Sequence, residues 1–291
     1  MPLVMLAGGL LHNWLGRLGW MTPYLIFAML FIPFCGVRLR EIRVSGMHLN
    51  LLLFQAVAGV LVYIFVRPFD VDVAQGAMIC VFAPTATAAV VIASMLGARV
   101  ATMLSYSLLI NFAAAVGLPL FFTIVVPSAG VSFLESFATI LWRVMRVLAL
   151  PFVAAMVLRR FVPRAADVVH RMSGVSFYLW LTALSVTTAS VVNFVATQRG
   201  LTVRKGVVLG VVALVLCVVQ FFAGRRIGVR YGETVAGGQS LGQKNTVLAI
   251  WLAQTYLNPV SSIAPAAYVL WQTIFNSIQL WRSSRKNSSP S

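Results

Sequence analysis

Residues Gly238 to Tyr256 read GQSLGQKNTVLAIWLAQTY. The stretch is apolar enough for a membrane span, yet it places Gly242, Gln243, Lys244 and Asn245 where the bilayer midplane would fall. A lysine at that depth, set among helix-weakening glycines and amides, is expensive in hydrocarbon and is normally buried against protein or a wet cavity. The stretch is therefore read as an interrupted span that carries a functional site.

The rest of the chain supplies the setting. Its 291 residues are 60% hydrophobic and 10% charged, with a mean hydropathy of +0.93. That composition predicts an all-α polytopic membrane protein. A formal charge of +16, from 22 Lys and Arg against 6 Asp and Glu, would suggest nucleic acid in a soluble domain. Here the basic residues fall in short connections between apolar segments, which is topology information rather than a nucleic-acid surface. Cys35, Cys80 and Cys217 each lie inside an apolar segment and read as packing residues. No metal site and no cofactor is expected. The apolar opening Met1 to Leu11 reads as a short first span: His12, Asn13 and Trp14 follow it without a small-residue cleavage site.

Apolar runs bounded by charge or turn chemistry predict ten spans. They are Pro2 to Leu15, Trp20 to Val37, Leu49 to Phe65, Val73 to Leu96, Val100 to Val126, Phe133 to Arg160, Val175 to Val195, Gly206 to Ala223, Gly238 to Tyr256 and Val260 to Trp281. Nine spans is the alternative, should the first fail to cross. With ten, the outer connections hold Arg17, Arg67, Arg199, Arg204 and Lys205. The inner ones hold the larger basic group, from Arg38, Arg40 and Arg43 through Arg225, Arg226 and Arg230 to Arg282, Arg285 and Lys286. The bias predicts cytoplasmic N and C termini in a cell inner or plasma membrane. Residues 282–291 read as a polar, disordered tail.

The layout looks duplicated. FAPTATAAVVIASML in the fourth span can be laid on LGQKNTVLAIWLAQT in the ninth, with Pro84 over Gln243 and Thr87 over Thr246. The copies stand five places apart in the order of spans, an odd offset, so they are expected to be inverted repeats, 1–126 and 127–281. Paired broken spans in inverted halves are the sequence pointer to a transporter's binding site.

These two broken spans give the chain a resemblance to the bile acid:sodium symporter family. Where that family has C-P-G-G-T-A-S-N in its fourth span, this sequence has Ala83, Pro84, Thr85, Ala86, Thr87, Ala88, Ala89 and Val90. Where the ninth span carries E-x-G-x-Q-N, it has Ser240, Leu241, Gly242, Gln243, Lys244 and Asn245. The resemblance implies a panel domain of spans one, two, six and seven and a core domain in which the broken helices four and nine cross. It also implies transport of organic anions such as bile acids, steroid sulfates or small carboxylates. Ala89 and Val90 replace the oxygen-bearing pair of the sodium-coupled members, Ser240 replaces the Glu and Lys244 the Gln. A hard cation wants several oxygens, so sodium is not expected at the family's usual sites. Gln55 is the residue that matches the glutamine of the second sodium site.

Local electrostatics points the same way as to charge. The half-helix N-termini after the breaks each bring partial positive charge to the midplane, and Lys244 adds to it, while every Asp and Glu falls at a span end or in a loop. The site therefore needs an anion, or a neutral Lys244. Thr85, Thr87, Asn245, Thr246, Gln272 and Thr273 are the expected substrate contacts. Lys244, with Gln243, Ser240 and Gln55, is expected to replace the coupling cation. Trp271 is expected to face the cavity. With no carboxylate pair or nucleophile with its base in a span, an enzyme is not expected. The expected function is secondary active transport of an organic anion by alternating access, by a monomer or homodimer in the lipid bilayer. A sodium symporter with rearranged ligands and a non-transporting membrane ligand-binding protein are the alternatives.

Overall fold

The computed structural model of the chain describes residues 2–38, 40, 42–86, 88–126, 132–197 and 203–288. The described residues form helices and no strand. In chain order these are α1 (Pro2–Leu10), α2 (His12–Leu15), a 3-10 segment (Gly16–Met21), α3 (Thr22–Phe34), α4 (Gly46–Val66), α5 (Val71–Phe82), α6 (Ala88–Met95) and α7 (Val100–Val125). There follow α8 (Phe133–Phe161), α9 (Pro163–Arg171), α10 (Ser173–Thr197), α11 (Val203–Val229), α12 (Thr234–Gly242), α13 (Thr246–Tyr256), a second 3-10 segment (Pro259–Ser262) and α14 (Ile263–Ser288). Among the described residues six helical stretches are long and apolar enough to cross a membrane, as a polytopic membrane protein requires: His12–Phe34, Gly46–Val66, Val100–Val125, Phe133–Phe161, Gly174–Thr197 and Val203–Val229.

Local chemistry explains the breaks. The Asp70 carboxylate caps α5 by accepting from the amides of Asp72 (2.9 Å) and Val73 (3.1 Å). Pro84 ends the same helix: it pushes Ala83 out of the helical region, to φ −53°, ψ 134°. No proline stands at the second break. There α12 ends at Gly242 with Gln243 extended (φ −99°, ψ 100°), and Asn245 restarts the chain as the cap of α13, accepting from the Leu248 amide at 3.2 Å.

Two groups of helices pack mainly among themselves. α3 lies on α8 and α10, and α10 also takes α1 and α2. α11 takes α5, α12 and α14, while α4 lies on α5 and α13 on α14. The groups meet where α7 packs on α8 and α13 on α3 and α10. Leu30, Phe122, Leu148 and Leu248 belong to the apolar cluster that bridges them. The tightest apposition is between α11 and α12. Gly224 and Gly228 face Gly237 and Gly238 so closely that backbone meets backbone, as small residues permit between helices in a membrane.

Ion pairs pin the far ends of α5 and α12. Lys205, at the start of α11, pairs with Asp70 (3.1 Å) and with Asp72. Arg99, just before α7, pairs with Glu233, which also accepts from Thr102 Oγ1 at 3.2 Å. Glu233 is largely buried although Arg99 is exposed. Arg99→Ala is therefore expected to remove about 1–3 kcal/mol, because it leaves the buried Glu233 carboxylate without its ion partner, and Glu233→Ala less, since the arginine it frees is already in solvent. Thermal midpoints of the two purified variants measure the difference.

The chain reverses between α1 and α3, through α2 and the 3-10 segment: Gly8 faces Ser185 and Gly16 faces Asn193 of α10, whereas Gly19 lies back at Ser190 and Gly36 at His170. Two expectations need correction. The stretch 282–291, read as disordered, is helical as far as Ser288, because α14 simply continues. Trp271 packs against the α5, α11 and α14 cluster and donates Nε1–H to the Gly210 carbonyl at 3.0 Å. Its polar atom is thereby engaged between helices rather than turned to a cavity. The repeat boundary expected at 127 lies outside the described residues.

Candidate functional site

Breaking a helix inside hydrocarbon leaves carbonyls at its C-terminal end without partners and without water to supply them. At the end of α5 every such group is met by a side chain. The Cys80 carbonyl accepts from Gln220 Nε2 (3.3 Å), Val81 from Lys244 Nζ (2.8 Å), and Phe82 and Ala83 from Gln55 Nε2 (3.1 and 3.2 Å). Lys244 Nζ also donates to Gln55 Oε1 at 2.9 Å, and Tyr106 OH reaches the same oxygen at 3.3 Å. An ammonium suits this place, since the C-terminal end of a helix carries partial negative charge.

The end of α12 is treated alike. Thr85 Oγ1 donates to the Ser240 carbonyl at 2.6 Å and Tyr268 OH to that of Gly242 at 2.9 Å. Between the two breaks the chain segments cross in an isolated antiparallel bridge of Thr85 with Lys244. It is closed by Ala86 N to Gln243 O (3.0 Å) and Asn245 N to Pro84 O (2.8 Å).

These contacts form reciprocal pairs. The register that lays Pro84 over Gln243 lays Thr85 over Lys244, Ala86 over Asn245 and Val81 over Ser240. Under it the two bridge hydrogen bonds exchange, and Thr85 to Ser240 O exchanges with Lys244 to Val81 O. The crossing therefore has a local twofold character, and Lys244 and Thr85 perform one task with different chemistry. Around it, Gln55 of α4 meets Tyr106 of α7, while Gln220 of α11 meets Tyr268 of α14 at 3.2 Å.

The remaining expected residues divide sharply. Gln272 accepts from the Lys244 amide (2.9 Å) and donates back to its carbonyl (3.4 Å), holding the extended segment as a neighbouring strand would. Gln243 Oε1 accepts from Asn276 Nδ2 at 3.1 Å, and Gln239 Nε2 donates to Asn276 Oδ1 at 3.0 Å. The hydroxyl of Ser240 lies 3.6 Å from the Met103 sulfur. Asn245 Oδ1 is occupied as the cap of α13. Thr246, the first residue of α13, is buried with its hydroxyl unpartnered among the described residues. Thr273 does not join the group: its hydroxyl donates to the Val269 carbonyl one turn back at 2.7 Å, the usual fate of a threonine in a span. Thr87 lies outside the described residues.

Of the expected substrate contacts, Thr85 and Asn245 have their side-chain oxygens engaged at the helix ends. Lys244, Gln55, Gln243 and Ser240 are brought together with Thr85, Thr246 and Gln272, all of them buried. Gln220, Gln239 and Asn276 were missed by sequence reasoning. Each is a polar side chain inside an apolar stretch, and that signal alone could have found them. Tyr106 and Tyr268 carried none, because a tyrosine in a span reads as packing. Among the described residues no cluster of His, Cys, Asp and Glu could hold a metal ion. No family model matches the chain, and no curated protein matches it.

Proposed function

We propose that the chain is a secondary active transporter of an organic anion, built on ten spans in two inverted repeats like the bile acid:sodium symporters, and working without sodium at the crossing. The observation that carries this reading is the Lys244 Nζ, seated between the Val81 carbonyl and Gln55 Oε1 at the junction of two broken helices. Those are oxygens of the kind that would otherwise attract a hard cation. A tethered ammonium takes the place of that cation, and it repels a free sodium ion from the same position.

The sign of the substrate follows. Both breaks are succeeded by a helix start, α6 and α13, with partial positive charge, and the Thr246 hydroxyl at the start of α13 is buried without a partner. The acidic residues that form ion pairs, Asp70, Asp72, Asp167 and Glu233, do so at helix ends with Lys205, Arg159 and Arg99, so none of these neutralises the crossing. Alternating access would be a rocking of the α4–α7 and α11–α14 core against α1–α3, α8 and α10, the chain lying in a cell inner or plasma membrane with both termini cytoplasmic. This reading assigns no catalysis to the chain.

Proteoliposome uptake tests the proposal, with a bile-acid-like anion, a steroid sulfate and a small monocarboxylate supplied separately. At least one of them is expected to accumulate at equal rates in sodium and potassium media, and Lys244→Ala to abolish that uptake. Uptake that requires sodium and survives Lys244→Ala would overturn the reading in favour of a sodium symporter.

A further inference from the structure

Away from the crossing, a shallow groove runs along the outer face of the molecule between α4 and the end of α11. Its walls are Phe54, Val57 and Leu61 on α4 and Ile227 on α11, and its one basic end is formed by Asn50 and Arg230. Both helices are among those long and apolar enough to cross a membrane. Leu53, Val57 and Leu61 are exposed along it, so the groove opens sideways from the protein and not toward Lys244.

Its polar end is organised. Asn50 Nδ2 donates to Tyr231 OH at 2.8 Å, and the same hydroxyl lies so close to Gly46 that a Cβ there would stand 3.0 Å from it. Tyr231 thus closes the groove at the level where α4 begins and α11 ends, the depth at which tyrosines gather in membranes. Arg230 has no ion-pair partner among the described residues, and the nearby acid Glu233 is taken by Arg99. Arg225 and Arg226 are exposed at the same end. From Asn50 to Leu61 the α4 axis rises about 16 Å at 1.5 Å per residue, which matches the roughly 15 Å of hydrocarbon in one leaflet.

We infer that this groove holds an anionic phospholipid of the adjacent leaflet. Its phosphate lies against Arg230 and the Asn50 amide, and one acyl chain lies along Phe54, Val57, Leu61 and Ile227 toward the midplane. A guanidinium at the membrane surface is the group best matched to a phosphate, and a zwitterionic headgroup lacks the net charge that would hold it there. The site is independent of the transported anion and of whether the chain transports at all.

The full chain is reconstituted into nanodiscs of phosphatidylcholine alone or with phosphatidylglycerol, and its thermal midpoint is measured. Phosphatidylglycerol is expected to raise the midpoint of the wild type by several degrees. Arg230→Ala is expected to lose more than half of that gain, Arg230→Lys to keep part of it, and Leu61→Trp, which fills the chain's path, to lose it too. Arg160→Ala, an exposed basic residue elsewhere, is expected to keep the whole gain. An equal gain in wild type and Arg230→Ala, or an equal loss in Arg160→Ala, would overturn the site in favour of general surface charge. If Arg230→Ala does not fold, Leu61→Trp and Arg230→Lys decide: full retention of the gain in both defeats the proposal. A soluble dodecyl phosphate that reproduces the gain in detergent, with the same dependence on Arg230, would defeat it in favour of a free amphiphile.

Discussion

Lys244→Ala is expected to lower the thermal midpoint of the purified protein by roughly 6–12 °C, whereas Lys244→Thr recovers most of that loss. Alanine leaves the Val81 carbonyl without its donor, takes one of two donors from Gln55 Oε1, and opens a cavity where a long side chain was fully buried. An orphaned buried acceptor costs about 1–3 kcal/mol and a core truncation about as much again. Opposing this is the relief of removing an ammonium that has no carboxylate beside it, a burial that is itself unfavourable. About 3 kcal/mol net is the expected balance, and each kcal/mol moves the midpoint by roughly 2–4 °C in a chain of this order of size.

Threonine is the informative companion because the crossing has already been solved once with it. Thr85 Oγ1 reaches the Ser240 carbonyl at 2.6 Å, and the reciprocal geometry places position 244 to reach Val81 in the same manner. A threonine there restores the cap and carries no charge. Stability restored without anion uptake would separate the two tasks of Lys244, holding the helix end and supplying the charge. If Lys244→Thr is no more stable than Lys244→Ala, the reciprocity of the crossing has no energetic content.

Much of this arrangement was legible in the sequence because the rules involved are local. Pro84 disfavours helix at Ala83, a lysine and three polar neighbours cannot sit casually at a midplane, and an apolar run announces its own length. The helix boundaries from α4 to α8 fall within a few residues of the expected ones for that reason. Which atoms pair was not legible. A span that is apolar all round does not disclose which face it turns inward, so Thr273 and Trp271, set on the same helix as Gln272, were placed at the site alongside it. Gln272 alone turns to the extended segment, while Thr273 bonds to its own helix and Trp271 to α11. The direct pairing of Thr85 with Lys244 needed the three-dimensional crossing, although the register that predicts their equivalence was already present in the chain. α9 is not legible in the sequence because its short amphipathic run, PRAADVVHR, lies among basic residues that read as a loop.

Gly237→Ala carries the second large effect, and it acts through packing alone. A Cβ at Gly237 would stand 2.2 Å from the Gly224 carbonyl oxygen, 2.9 Å from the Gly228 Cα and 3.0 Å from its nitrogen. From the other side, a Cβ at Gly224 would stand 2.2 Å from the Gly237 oxygen. Every one of these neighbours is backbone, so no rotamer change makes room and the helices themselves must part. Overpacking of a well-filled core costs about 1–3 kcal/mol where side chains can adjust, and here they cannot, so about 3 kcal/mol or more is expected. The displacement also reaches the site: α12 leads directly into Gln243 and Lys244, and moving it off α11 draws Ser240 away from Thr85. Gly237→Ala should accordingly lower the thermal midpoint by roughly 6–12 °C and reduce anion uptake together with it. Gly210→Ala, in the same α11 but with nothing within 4 Å of the added carbon, is the control. It is expected to be neutral or to stabilise by up to about 1 kcal/mol, because alanine is the better helix former. Equal midpoints for the two variants would mean that α11 and α12 are not held in backbone contact, and that the position of Lys244 is set by the crossing itself and not by the glycine seam behind it.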